Sequence, residues 1–124
     1  MVGSGDAVGM QRLVRAIAEL ADTGAAATAE HVVVVNRVRA SAAGRRPEHA
    51  VREALARYAG VEHPHLVPDD RAALDAALLQ GATLREAAPR SPAHASLAAL
   101  AVRLAGVDRP ADRPRRRLRA SARA

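Results

Sequence analysis

The segment HVVVVNRVRA, residues 31–40, places four valines in succession ahead of an asparagine and an arginine. Branching at Cβ suits extended backbone, and an unbroken apolar run suits a strand buried on both faces; a half-solvated strand would alternate apolar with polar residues. Such strands belong to parallel sheets covered by helices. The strand is predicted over residues 31–36, so Asn36 and Arg37 fall where the chain should leave the sheet. In open α/β sheets, ligands bind outside the carboxyl ends of the strands. The two polar residues are therefore candidates for a site, although Asn is also a common residue for closing a turn after a strand.

Apolar residues recur at helical spacing on either side of this strand. Asp6 is a candidate N-cap for a helix reaching about Asp22, with Met10, Leu13, Val14, Ile17 and Leu20 on one face. Residues 23–29 and 37–46 read as loops. Pro47 at a first helical position opens a second helix, on which Val51, Ala54, Leu55 and Tyr58 form a stripe that Gly60 stops. His65, Leu66 and Val67 make a short strand ended by Pro68. Asp69 or Asp70 caps a third helix with Leu74, Ala77 and Leu78 on its inner face, and Gly81 ends it. Ser91 and Pro92 open a last helix whose face is Leu97, Leu100, Ala101 and Leu104, ending at Gly106. Strands separated by helices imply βαβ units and a parallel sheet. The residues ahead of the first helix, Met1, Val2 and Gly3, are only a stub of the strand expected there.

A chain of 124 residues holds one domain at most. Its apolar content is largely alanine: there are thirteen Val, twelve Leu, one Ile, no Phe or Trp, and Tyr58 as the only aromatic. A small domain already buries a modest fraction of its surface, so the fold is expected to be marginally stable. The absence of cysteine excludes disulfides, thiolate metal sites and a Cys nucleophile. The opening MVGSGDAVG has neither the charged start nor the apolar core of a secretory signal, and no run of 18 apolar residues occurs, so a cytoplasmic location is expected.

Charge divides the chain in two. Residues 107–124 carry seven Arg against Asp108 and Asp112, whereas residues 1–106 carry twelve Arg against eleven acidic residues. The body, residues 1–106, is nearly neutral, and residues 107–124 read as an Arg-rich disordered tail. All nineteen basic residues are Arg; none is Lys.

Five blocks in order resemble the carboxyl half of the MinD/ParA-type ATPases, the deviant Walker A branch of the P-loop proteins that also includes the nitrogenase iron protein. GSGDAVGMQRLVRAIAEL is similar to the strand end and helix that follow the family's Walker B region. VVVVNRV is similar to its buried strand ending in Asn-Arg, and LVPDDRAALDAALLQG to its Pro-x-Asp segment. TLREAAPRSP and SLAALAVRLAG resemble the stretch leading to the last helix and that helix. The resemblance implies an α/β fold: a partial doubly wound parallel sheet of about three strands with flanking helices, forming the C-terminal half of a P-loop NTPase domain. A sheet of this size leaves open edges for pairing.

The resemblance further implies ATP as cofactor, with the base held between Asn36 and Arg37 on one side and Pro68 and Asp69 on the other. These residue types suit the task. An Asn amide offers a donor and an acceptor to a purine edge, and an Arg stem and guanidinium can cover a ring face. The family's phosphate loop needs a Lys. A chain without Lys has no such loop, so ATP hydrolysis by these residues alone is not expected, and no metal is expected without the other half. The expected partner is the missing N-terminal half or a second copy. The family's cellular work is ATP-gated positioning of the septum, chromosomes, plasmids or secretion and pilus machinery.

A different reading is a non-enzymatic binding module working through the tail. Arg115, Arg116, Arg117 and Arg119 form a cluster suited to nucleic acid or an anionic membrane surface, with binding that weakens as salt rises. Leu118 is the only large apolar residue there, too little for membrane insertion. Other features carry less. Gly3, Gly5 and Gly9 miss the dinucleotide spacing by one residue, and Asp6 would repel phosphate. His63 and His65 alternate on one strand face, but no third ligand lies near them. With the amino-terminal strand only a stub, the run of valines 32–35 is expected to be poorly covered on one side and prone to self-association.

Overall fold

The structure, a computed structural model, describes residues 1–24 and 31–106. The element order is β1 (Val2–Ser4), α1 (Ala7–Asp22), β2 (Val34–Val38), α2 (Ala40–Ala43), α3 (Pro47–Ala59), β3 (His65–Pro68), α4 (Arg71–Gln80), α5 (Leu84–Ala87) and α6 (Pro92–Ala105). The three strands form one parallel sheet in the order β1-β2-β3, with Val2, Gly3 and Ser4 registered against Val34, Val35 and Asn36. The expected α/β class with a three-stranded parallel sheet flanked by helices is what the chain adopts.

One face of the sheet carries the main core. Leu13 from α1 and Val51 and Leu55 from α3 pack on Val33, Val35, Val38 and Leu66, with Met10, Val14 and Ile17 at the margin. Leu55 and Val35 are fully buried, and burial of a Leu side chain contributes about 1.5–3 kcal/mol. Gly9 lets α1 approach β1: a Cβ there would lie 2.5 Å from the Ser4 carbonyl oxygen. The helix ends follow the sequence. Asp6 accepts from the Gly9 N–H at 2.8 Å, Asp70 rather than Asp69 caps α4, Ser91 caps α6, and Pro47 and Pro92 open their helices.

The central strand differs from its predicted bounds. It runs through Val38, so Asn36 and Arg37 lie within it. Arg37 has φ +60°, and the register against β3 shifts between Val35 and Val38. This is a bulge, an extra residue that resets the alternation of a strand. The rule that a polar pair marks the strand end fails here because the bulge lets both residues face outward without ending the pairing.

The stub at residues 1–3 is a paired strand, so β2 has a neighbour on both sides. Among the described residues the open edges belong to β1 and β3 instead, and valines 33–35 are buried. Two single helical turns were not predicted: α2 falls in the expected loop at residues 37–46, and α5 lies in the stretch leading to the last helix. Thr83 and Glu86 close α5 with a reciprocal cap, the Glu86 side chain accepting from the Thr83 N–H at 2.9 Å.

The other correction concerns which apolar residues the outer helices bury. Ala73, Ala77 and Ala93 are the buried residues of α4 and α6, whereas Leu78 is 79% exposed and Leu97 42% exposed. Alanine brings these helices close to their neighbours, and the larger residues are left looking outward. Tyr58 is exposed too, with the Arg57 guanidinium 5.3 Å from its ring centre.

Candidate functional site

The face of the sheet opposite α1 and α3 is only partly covered. Strand alternation turns Val34 and Val67 away from the main core, and with Val2 they floor a groove of about 400 Å³. Ala93, Leu97 and Leu100 of α6 form one wall, and Arg71, Leu74 and Asp75 of α4 form part of another. Asn36, Arg37, Pro68 and Asp69 complete it at the carboxyl ends of β2 and β3. All four base-site residues expected from sequence therefore line one groove, although 31 residues separate Arg37 from Pro68 along the chain.

The bulge sets the position of the first pair. The Arg37 N–H donates to Asn36 Oδ1 at 2.9 Å, and the Gly5 N–H donates to the Asn36 carbonyl oxygen at 2.8 Å. Asn36 thus does what a turn asparagine does: it supports the left-handed residue that follows it. Its amide nitrogen makes no hydrogen bond to protein among the described residues and remains a donor for a ligand. Gly5 is buried against the bulge, where a Cβ would lie 3.1 Å from the Val38 Cα. Arg37 is exposed, and its guanidinium makes no ion pair among the described residues.

Asp69 is held differently from what a ligand contact would require. Its carboxylate is 7% exposed and accepts from Arg39 Nη1 at 2.9 Å, while its N–H donates to the Val38 carbonyl oxygen at 3.0 Å. Asp70 Oδ1 caps α4 through the Ala73 N–H at 3.4 Å, and its other oxygen is buried with no partner among the described residues. On the β1 side, Asp6 closes the loop before α1. The Ser4 hydroxyl, the Gly9 N–H and the nearby Arg37 charge hold its carboxyl below the ordinary range.

Sequence reading missed Arg39, Arg71, Leu74, Leu97 and Leu100 as groove or supporting residues. The leucines carried a helical-period signal that reads equally well as core. Arg39 carried a weaker one, as a second basic residue two positions beyond Arg37. His65 does not face an open coordination site. Its Nε2 lies 2.9 Å from the Ser96 carbonyl oxygen, and Ser96 Oγ donates to the Leu66 carbonyl at 2.7 Å, tying α6 to β3. No group of three or more His, Asp or Glu residues suited to a metal occurs among the described residues, and none of their helices is long and apolar enough to cross a membrane. Arg115, Arg116, Arg117 and Arg119 lie outside the described residues.

The fold and groove define a parallel α/β unit with an apolar, strand-end site rimmed by Asn36, Arg37 and Arg71. The chain has no match among protein-family models, curated proteins or solved structures.

Proposed function

We propose that residues 1–106 form the base-side half of a MinD/ParA-like nucleotide switch. On this reading they hold the adenine of ATP and depend on another segment for the phosphate loop. The observation that carries the reading is the convergence of Asn36, Arg37, Pro68 and Asp69 on one groove at the carboxyl ends of a parallel sheet, the place where such sheets bind ligands. The incompletely covered second face adds support. All-parallel sheets are covered on both sides, and here Val2 is 71% exposed beside the groove. The covering element and a Lys-bearing loop would come together in the complementary segment. The corresponding cellular role is ATP-gated positioning of division, partition or secretion machinery.

The base-side half acts by binding. An apolar floor accepts the flat ring, the Asn36 amide reads its edge, and the Arg37 stem covers its face. Affinity without a phosphate loop is expected to be weak, on the order of millimolar, about −4 kcal/mol. The test is an NMR titration of the full chain with adenosine. Shifts at Asn36, Arg37 and Asp69 that disappear in Asn36→Ala, with the rest of the spectrum unchanged, support the reading. A folded sample that shows no adenosine-induced shifts at these residues rejects it.

A further inference from the structure

We infer that Arg39, a residue with no assigned role in base binding, is the positioning residue that sets the Pro68–Asp69 wall of the groove through a cross-strand ion pair with Asp69. This inference rests on the base-site reading and deepens it. Arg39 follows β2 directly, and Asp69 follows β3 directly. Their backbones are already joined by the Asp69 N–H to Val38 carbonyl bond, and the Arg39–Asp69 pair adds a charged tie at 2.9 Å across the same gap. The two ties fix the ends of β2 and β3 against each other immediately beyond the bulge, where pairing resumes at Val38 against Pro68 after the irregular stretch between Val35 and Val38. Asn36 and Arg37 themselves have no register partner on β3, so their distance from Pro68–Asp69 depends on how firmly the strands are held where pairing resumes.

Burial separates positioning from direct contact. The Asp69 carboxylate is 7% exposed, and a carboxylate so placed needs a charged or hydrogen-bonding partner. Among the described residues Arg39 is that partner. With that carboxylate enclosed and engaged, what Asp69 contributes to a base is the placement of the wall rather than a charge offered to the ligand. Arg39 does not itself line the groove. It acts through Asp69.

The test compares adenosine affinity in the full chain and in Arg39→Gln, Arg39→Lys and the double variant Arg39→Gln/Asp69→Asn. Affinity is read from native-state backbone signals, so that loss of folded protein does not mimic loss of affinity. Arg39→Gln is expected to weaken binding about tenfold, the factor that 1.4 kcal/mol makes in an equilibrium constant. Arg39→Lys should recover most of the affinity. The double variant should bind no more weakly than Arg39→Gln, because residues acting as one unit are not additive. If Arg39→Gln does not fold, the double variant, which leaves no unpaired buried charge, carries the measurement. Wild-type affinity in whichever variant carries it overturns the role. A double variant weaker than Arg39→Gln also overturns it, by showing that Asp69 touches the ligand directly. A wild-type chain that does not respond to adenosine overturns the base-site reading itself, and the role of Arg39 with it.

Discussion

Val35 and Val38 lie three residues apart on one strand, yet both point into the same core. In a regular strand an odd separation puts two side chains on opposite faces. The bulge at Asn36 and Arg37 supplies the extra residue that restores Val38 to the face of Val35. That one irregularity does two things at once. It keeps the core intact to the end of β2, and it turns two consecutive polar residues outward at the groove.

The positive φ of Arg37 makes the bulge testable. A left-handed backbone costs a residue with a Cβ about 1–2 kcal/mol, and β-branched residues are the least tolerant. Arg37 already bears that cost, so Arg37→Ile is expected to destabilise the fold by the additional penalty of branching at Cβ, read from urea midpoints. Arg37→Gly should be neutral or slightly stabilising while removing the side chain proposed to cover a bound base. Deleting residue 37 should be far worse than either, because a one-residue slip would send Val38 to the opposite face.

How much of this was legible in the sequence depended on what each residue reports. Caps and stops were readable because Asp6, Ser91, Pro47 and the glycines at 60, 81 and 106 act through local backbone geometry. The strand end was misread because a bulge is chosen by the tertiary environment of Val38, which no window of residues 31–36 contains. The leucines of α4 and α6 were misread for a related reason. Period marks an apolar face but does not say whether anything covers it. Asn36 and Arg37 stood out as polar residues after a buried strand, whereas Pro68 and Asp69 entered only through the family resemblance, and the convergence of all four on one groove is a tertiary fact. Arg39 could not be found, since its significance lies in Asp69, 30 positions away.

A pH dependence follows from the loop between β1 and α1. The Ser4 hydroxyl, the Gly9 N–H and the charge of Arg37 favour the ionised form of Asp6, so its pKa in the folded chain lies below the value in the unfolded chain. A depressed carboxylate pKa contributes stability that is complete above the unfolded value, near pH 4, and is lost as pH falls through the folded value. Acidification from pH 5 to pH 2.5 should therefore destabilise the wild type more than Ser4→Ala, which lacks the largest of these influences. The two urea midpoints should converge at the acid end. Asp6→Asn, which keeps a capping oxygen but cannot ionise, should flatten the dependence further. Parallel curves for all three proteins would show that Asp6 has no linked role.

Self-association is the remaining consequence, and the structure relocates its cause. The sequence pointed to valines 32–35 as an uncovered run, but β2 is paired on both sides and valines 33–35 are buried. What is exposed is Val2 and Leu97 at the groove, together with Leu78 and Leu79 on α4, the latter 89% exposed. Contiguous exposed apolar residues favour association of a chain with itself or with a partner. Sedimentation velocity on the full chain is expected to show concentration-dependent oligomers. If the second face drives association, Leu97→Glu should disperse them, because a carboxylate in the groove wall opposes desolvation. If the α4 surface drives it, Leu78→Glu/Leu79→Glu should do so while Leu97→Glu does not. A monodisperse monomer across the concentration range, with a melt independent of concentration, would mean that these leucines are tolerated as ordinary surface.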